Sequence, residues 1–378
     1  MTTTDILLYA GSGLTFAMAA ATPLANIMFR RPRVREGGGE SRPSFSIIIP
    51  AHENASELER HLPEFLSQEY DGDFEVIVVE SKTGDRTEEV VKRLSSDKRL
   101  YSTFIPSSSK YMSRKKLAMT VGAKAAKYEW LIFADAECHP EGRRWLDAVA
   151  RELGDDKDLA IGYGNYDDET CQFRRFVRLT QSLYALRKAS KGRAFRAATD
   201  NVAIRRDVFM NGKGFEGNLM FVRGEYDFLV NKYAERGNTA VITSPLGMTR
   251  TDCPSEKTWK NTNLFYINAR KHMQHGAGYR MTFVTDTVLM YLTYLLIAAG
   301  ITTGILLDDI IVMLVSALSL ILFVTERLVL AARTLKMYGE DISIIKVIPF
   351  EMMMMLDDIW FRIKHRFSDK NDFTSHKL

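Results

Sequence analysis

The stretch WLIFADAEC, residues 130–138, decides how this chain folds. Leu131, Ile132 and Phe133 show no polar alternation, the pattern of an interior strand of a parallel sheet, which is covered on both faces. The run stops at two acidic residues, Asp135 and Glu137, spaced i, i+2. Carboxylates at the carboxyl end of such a strand lie on the edge where open α/β sheets bind ligands. Two hard oxygen donors there suit Mg2+ or Mn2+ held against the phosphates of a nucleotide. The plainer alternative is that they start the next helix or lie solvated in a loop, and the surrounding sequence has to separate the two.

Upstream, strand and helix signals alternate. Residues 45–49 read as a strand ended by Pro50, and 55–68 as a helix with Asn54 as its cap. Residues 74–79 form a second β-rich run ended by Glu80, and Gly84-Asp85-Arg86-Thr87 opens a helix over 88–94. Helical spacing over 115–127 puts Leu117, Val121 and Ala125 on one face and feeds the strand at Trp130. This order predicts an α/β fold with a doubly wound sheet and parallel crossovers. Polar residues gather at three consecutive strand ends: His52 and Glu53, Glu80 and Ser81, then Asp135 and Glu137. That recurrence points to a nucleotide pocket. The basic run Lys110, Arg114, Lys115, Lys116 offers the positive charge a diphosphate needs, unless it is only a solvated surface.

At 378 residues the chain has room for one large domain plus extras. A net charge of +4, with aromatics not interleaved along a basic stripe, gives no argument for nucleic acid as a partner. Cys138, Cys171 and Cys253 are far apart and lack metal spacing, so they read as free thiols in a reducing compartment.

Hydropathy adds membrane segments. Residues 6–29 are almost wholly apolar and long enough to span a bilayer as helix. Positive charge follows this run, at Arg30, Arg31, Arg33 and Arg35, rather than preceding it. By the positive-inside bias the segment is an anchor, with the next domain in the cytoplasm. A second span is expected at 287–307, a polar turn at Asp308-Asp309, and a third apolar run at 310–325. The third reaches only about 24 Å, short of the ~30 Å hydrocarbon core. Extending it to 332 requires Glu326 and Arg327 to pair or snorkel, and Arg333 and Lys336 then lie inside. Residues 342–356, broken by Lys346, Pro349 and Glu351, read as an interfacial helix ahead of a polar tail. The expected organisation is an anchor at 1–30, a Gly-rich linker at 31–44, a catalytic domain at 45–280, two membrane helices at 281–333, and an interfacial helix and tail at 334–378.

Over residues 45–279 the motifs occur in the order of the family 2 glycosyltransferases, membrane-associated enzymes with a GT-A nucleotide-sugar domain. FSIIIPAHENASELERHL resembles the opening strand, loop and helix, which implies substrate contacts at Pro50, Ala51, His52 and Glu53. VIVVESKTGDRTEEVV resembles the second strand and turn, with Glu80 where an aspartate usually meets the base. SRKKLAMTVGAKAAKYEWLIFADAEC is similar to the stretch ending in D-x-D. That match implies Lys116 near the phosphates, Asp135 on the donor, and Asp135 and Glu137 on a Mg2+ or Mn2+ ion. TDNVAIRRDVFMNGKGF resembles the acceptor-side segment, with Asn201 and Ala203 at its small-polar positions. RGEYDFLVNKYAERG is similar to the helix start that supplies the catalytic base, at Glu225 or Asp227. Asn268, Lys271 and His272 stand where the family has Q-x-x-R-W or Q-x-x-R-H, with Gln shortened to Asn and Arg replaced by Lys. Trp259 either stacks on a sugar or packs in the core.

The resemblance implies inverting transfer from a nucleotide sugar, expected to be UDP-linked, to a lipid-linked or glycan acceptor at the cytoplasmic side of the inner membrane. Two alternatives stand beside it. One is a processive polysaccharide synthase; the other is an inactive scaffold subunit of a polysaccharide assembly, suggested by the substitutions at Glu80, Glu137, Asn268 and Lys271.

Overall fold

The computed structural model describes residues 3–29, 32, 42–81, 86–105, 113–274 and 276–368. Most of the linker, the arginines at 30, 31, 33 and 35, the Gly84-Asp85 turn, Lys110 and the tail from 369 lie outside the described residues. The chain divides into two compact units: Met1–Arg31 with Gly276–Asp357, and Pro32–His275 with Asp358–Leu378.

The larger unit contains β1 (Phe45–Ala51), α2 (Ala55–Leu66), β2 (Phe74–Ser81), α3 (Thr87–Leu94), β3 (Leu100–Ile105), α4 (Arg114–Ala125) and β4 (Trp130–Phe133). Then follow β5 (Cys138–Pro140), α5 (Trp145–Glu152), β6 (Leu159–Gly162), β7 (Gly164–Tyr166), α6 (Gln172–Ser190), β8 (Val202–Arg205) and α7 (Arg206–Asn211). The unit continues with α8 (Glu225–Tyr233), β9 (Thr239–Ile242), β10 (Thr249–Thr251) and α9 (Glu256–Arg270). The main sheet has the order β3-β2-β1-β4-β8-β6-β9, and a small sheet has the order β5-β10-β7.

The apolar runs at 45–51, 74–81 and 130–133 are central because they can be covered twice. On one face Ile47, Ile49, Val76, Val78 and Ile132 pack with Leu58, Leu62 and Phe65 of α2 and Leu146 and Val149 of α5. On the other, α4 lies so close that a Cβ on Gly122 would stand 2.4 Å from Ile48 Cγ2. Only glycine permits that approach.

Parallel pairing of β1 with β2 and β4 (Ala51↔Glu80, Ile48↔Phe133) brings three strand exits to one edge. The expected parallel order ends there. Strand β8 runs antiparallel to β4, with Phe133 opposite Val202, and antiparallel to β6. The sheet is therefore mixed but mostly parallel. The reversal has a consequence for the site: the entry to β8, at Asp200-Asn201, meets the exit of β4.

The smaller unit is built from α1 (Thr3–Ala21), α10 (Ala277–Leu306), α11 (Ile310–Met337) and the first half of α12 (Val347–Phe367). Three segments, Asp5–Ala25, Met281–Leu306 and Ile310–Met337, are long and apolar enough to cross a membrane. The third is not short: its helix continues to Met337 and spans about 42 Å at 1.5 Å per residue. Asp308 turns the chain with φ 52°, and Asp309 Oδ1 caps α11 by accepting from Ile311 N and Val312 N at 2.9 and 3.1 Å. Arg327 does pair, donating to Glu351 Oε2 at 2.7 Å and facing Asp286 at 3.5 Å. Asn26 Nδ2 donates to the other Glu351 oxygen at 3.0 Å. The segment read as interfacial thus contributes an internal carboxylate to the helical unit.

Candidate active site

At the carboxyl edge of β1, β2 and β4 lies a cleft of about 250 Å³. Pro50, Ala51 and His52 line it from the β1 exit, Ser81 from β2, Arg114 and Lys115 from the start of α4, and Asp135 and Glu137 from the β4 exit, with Arg223 ahead of α8. The rim loop after β1 is strained: Glu53 has φ 58°, and Asn54 Oδ1 accepts from His52 N at 3.2 Å instead of capping α2. Glu53 is exposed and does not line the cleft. Glu80 pairs with Ala51 at the same edge, but its neighbour Ser81 is the β2 residue on the cleft wall.

Lys115 organises the charges. Its ammonium lies 2.7 Å from Asp135 Oδ1 and 2.5 Å from Glu225 Oε1. Burial would lower its pKa, but those two carboxylates outweigh burial and raise it. The Tyr226 ring lies 4.8 Å beneath the ammonium, and its hydroxyl donates to Asp135 Oδ1 at 2.5 Å. Lys116, one residue on, is fully buried; it donates to Asn218 O at 2.9 Å and to Phe221 O, and does not line the cleft. Burial, with the Lys115 charge, brings its pKa down to about 8. The lysine that reaches the carboxylates is thus Lys115, the neighbour of the one singled out by the motif.

Glu225 is the first residue of α8 and only 2% exposed. It follows Gly224, whose φ of 97° needs no Cβ and whose Cα lies close to Ala269. Burial would raise the Glu225 carboxyl, yet Lys115, Lys116 and Arg223 hold it at about 2. Its Oε2 is buried without a hydrogen-bond partner among the described residues.

Asp227, two residues on, does something else. It accepts from Ala198 N at 3.0 Å and from Arg270 Nε at 3.2 Å. Burial would raise its pKa, but Arg196 and Arg270 bring it below the ordinary value. Ala198 sits at φ 69°, so Asp227 pins a strained residue just before Asp200.

Asn201 is buried and tied to backbone, donating to Tyr163 O at 3.0 Å and Gly247 O at 2.7 Å. Its neighbour Asp200 carries the charge at this edge: burial and the nearby Asp135 charge raise its pKa against the pull of Arg178. From α9, Arg270 engages Asp227, whereas Lys271 lies 3.3 Å from His365 Nδ1 and His272 packs on Phe221, 4.9 Å between ring centroids. Asn268 is half-buried in α9. Trp259 packs edge-on against Tyr166. The three cysteines are free.

Arg223, Tyr226 and Asp200 carry no role in the sequence reading. Lys115 was legible as part of a basic run, but which lysine faces inward depends on the pose of α4.

The donor set suits a divalent cation. The Glu137 side chain reaches solvent, so its desolvation is partial, yet that and the Asp135 charge raise its pKa. Glu137, beside the Asp135 charge, is a hard oxygen donor, and both Asp135 oxygens are held by Lys115 and Tyr226, so a cation there would displace the ammonium.

Residues 46–212 match glycosyl transferase family 2. Among curated proteins, no relative matches the chain. A similar solved structure is the mannosyltransferase PcManGT from Pyrobaculum calidifontis in complex with GDP-Man and Mn2+, 16% identical, with a TM-score of 0.51 over 85% of this chain and 99% of that one. Another is S. aureus TarS 1-349 in complex with UDP-GlcNAc, 12% identical, with a TM-score of 0.42 over 78% of this chain and 89% of that one. Residues 46–212 therefore form a family 2 glycosyltransferase domain with a GT-A-like fold.

Proposed function

We propose that the chain is a membrane-bound inverting glycosyltransferase that moves a sugar from a nucleotide sugar to a lipid-linked or glycan acceptor at the cytoplasmic face of the cell membrane. The observation that carries this reading is the Asp135–Lys115 pair on the cleft wall, with the buried Glu225 behind it on the same ammonium, at the edge where sheets of this type bind nucleotides. In this reading the nucleoside lies along Pro50 to Glu53 and Glu80-Ser81, and Arg114, Lys115 and Arg223 face the diphosphate. Asp135 and Glu137 would hold Mg2+ or Mn2+, which neutralises the leaving diphosphate when bound.

Glu225 is the general base, and Asp227 holds the 198–200 turn and Arg270 in place. A base held at about 2 by an ammonium is a weak proton acceptor. Donor phosphates offer that ammonium a stronger partner, and once Lys115 turns to them the Glu225 carboxylate regains basicity. It can then take the acceptor hydroxyl proton as the oxygen attacks the anomeric carbon from the face opposite the leaving group. Lys116 supports the loop at 218–221, and Asn268, Lys271 and His272 lie on the acceptor side.

The test is a panel of UDP- and GDP-sugars, including GDP-Man, offered to the purified protein with Mg2+ or Mn2+. Release of nucleoside diphosphate with one donor is expected. Donor binding without turnover across the panel would favour a scaffold role, and a long product at limiting enzyme would favour a processive synthase.

A further inference from the structure

A second polar cluster joins α2 to the small sheet. His61 of α2 is 6% exposed, and its Nε2 lies 3.0 Å from Asp252 Oδ1. Its Nδ1 is buried with no hydrogen-bond partner among the described residues; the nearest Glu64 oxygen is 3.6 Å away. His139 of β5 repeats the pattern in part: its Nε2 lies 3.1 Å from Asp167 Oδ1, and its Nδ1 lies 3.4 Å from the other Glu64 oxygen and 3.4 Å from Pro140 O. One ligand atom from each of His61, Glu64 and His139 lies within 4.8 Å of the others.

A ring that gives its Nε2–H to a carboxylate keeps a lone pair on Nδ1, the arrangement found behind metal-bound histidines. Two Nδ1 atoms and a carboxylate converge here, a donor set that a cation between them would satisfy once His139 Nδ1 turns from Pro140 O. Ligands about 2.1 Å from a tetrahedral Zn2+ stand about 3.4 Å apart, close to the two Nδ1–Glu64 separations. The rings are stacked, 4.9 Å between centroids and 11° between planes, so convergence on one ion takes a rotation of one ring about its Cβ–Cγ bond.

We infer that His61, Glu64 and His139 form a binding site for a divalent metal of the Zn2+ class. Imidazole ligation separates it from the all-carboxylate set at Asp135 and Glu137, which suits Mg2+ or Mn2+. The site is structural. It clips α2 to β5, which starts one residue after Glu137, and its supporting carboxylates follow β7 and β10 directly. The inference does not rest on glycosyl transfer.

The experiment uses the full chain in detergent, stripped with chelator, exposed to ZnCl2 under excess Mg2+, desalted, and assayed for zinc by mass spectrometry. About one equivalent should remain, and Co2+ in its place should give the visible absorption of a tetrahedral site. Glu64→Gln and His139→Gln, at partly exposed positions, should abolish retention while the protein stays folded by circular dichroism. Asp252→Asn should keep the ligands but weaken Zn2+ binding about 10–100-fold. The Asp135→Ala protein should retain its equivalent. Zinc retained unchanged by the Glu64→Gln/His139→Gln protein, lost in Asp135→Ala, or absent from the wild type would overturn the assignment.

Discussion

Lys115 and Arg327 each hold two carboxylates, one in an open cleft and the other inside a helical bundle. Arg327 is sealed, its side chain 2% exposed between Glu351 and Asp286. Lys115 and Asp135 are 25% and 26% exposed, and the buried Glu225 beside them has one oxygen without a partner among the described residues. A sealed triad can only be broken, and breaking a buried ion pair leaves an uncompensated charge. An open triad can trade partners. The same stoichiometry of charge therefore serves architecture in one unit and, in the proposed reaction, chemistry in the other.

The contrast can be broken from either side. On the cleft side, Glu225→Gln should cut kcat by about 10²–10⁴-fold, the usual worth of a general base, with donor KM nearly unchanged. On the helical side, Arg327→Leu should cost about 3–5 kcal/mol in thermal unfolding. The triple replacement Arg327→Leu, Glu351→Leu, Asp286→Leu should recover most of it; no recovery would mean that the triad is more than a matched set of charges.

Lys115→Met should lower kcat about 100-fold and also move the acid limb of the kcat/KM profile, which reports the free enzyme. Lys115 keeps the Glu225 carboxyl low, so its removal raises that pKa and the rate should fall off at higher pH than in the wild type. An unmoved limb would detach Glu225 from the chemistry. Asp227→Asn should have the smallest effect, about 1.5–3 kcal/mol of stability with the charge-assisted bonds weakened. The folded Asp227 carboxyl lies below its unfolded value of about 3.9. Its contribution is complete above that pH and lost as pH falls through the folded pKa, so the asparagine protein should lack that acid-side loss in a pH series of Tm.

What the sequence revealed follows the same physics. Strands β1, β2 and β4 were legible because burial on both faces leaves an unbroken apolar run. β3 was not located because it is an edge strand, with Tyr101 and Phe104 exposed and only its last residue buried. The reversed direction of β8 has no signature in VAIR, since direction is set by the long path through α6 and not by the strand itself. Asp135 and Glu137 were legible as candidates from their place at a strand end, whereas Glu225 entered only through the family resemblance, which left Asp227 beside it. Which of Lys115 and Lys116 faces the cleft was not legible, because successive helical residues point about 100° apart and only packing chooses. Arg270 and Lys271 divide in the same way: the arginine reaches Asp227, and the lysine lies against His365.

The central claim is that the β4 edge and the α8 start form one glycosyl-transfer site. The most direct measurement is nucleoside diphosphate release from the best donor of the panel, with and without divalent cation, by the wild-type and Asp135→Ala proteins. The account predicts cation-dependent release by the wild type and near-complete loss in Asp135→Ala. Full activity in the Asp135→Ala protein would contradict it.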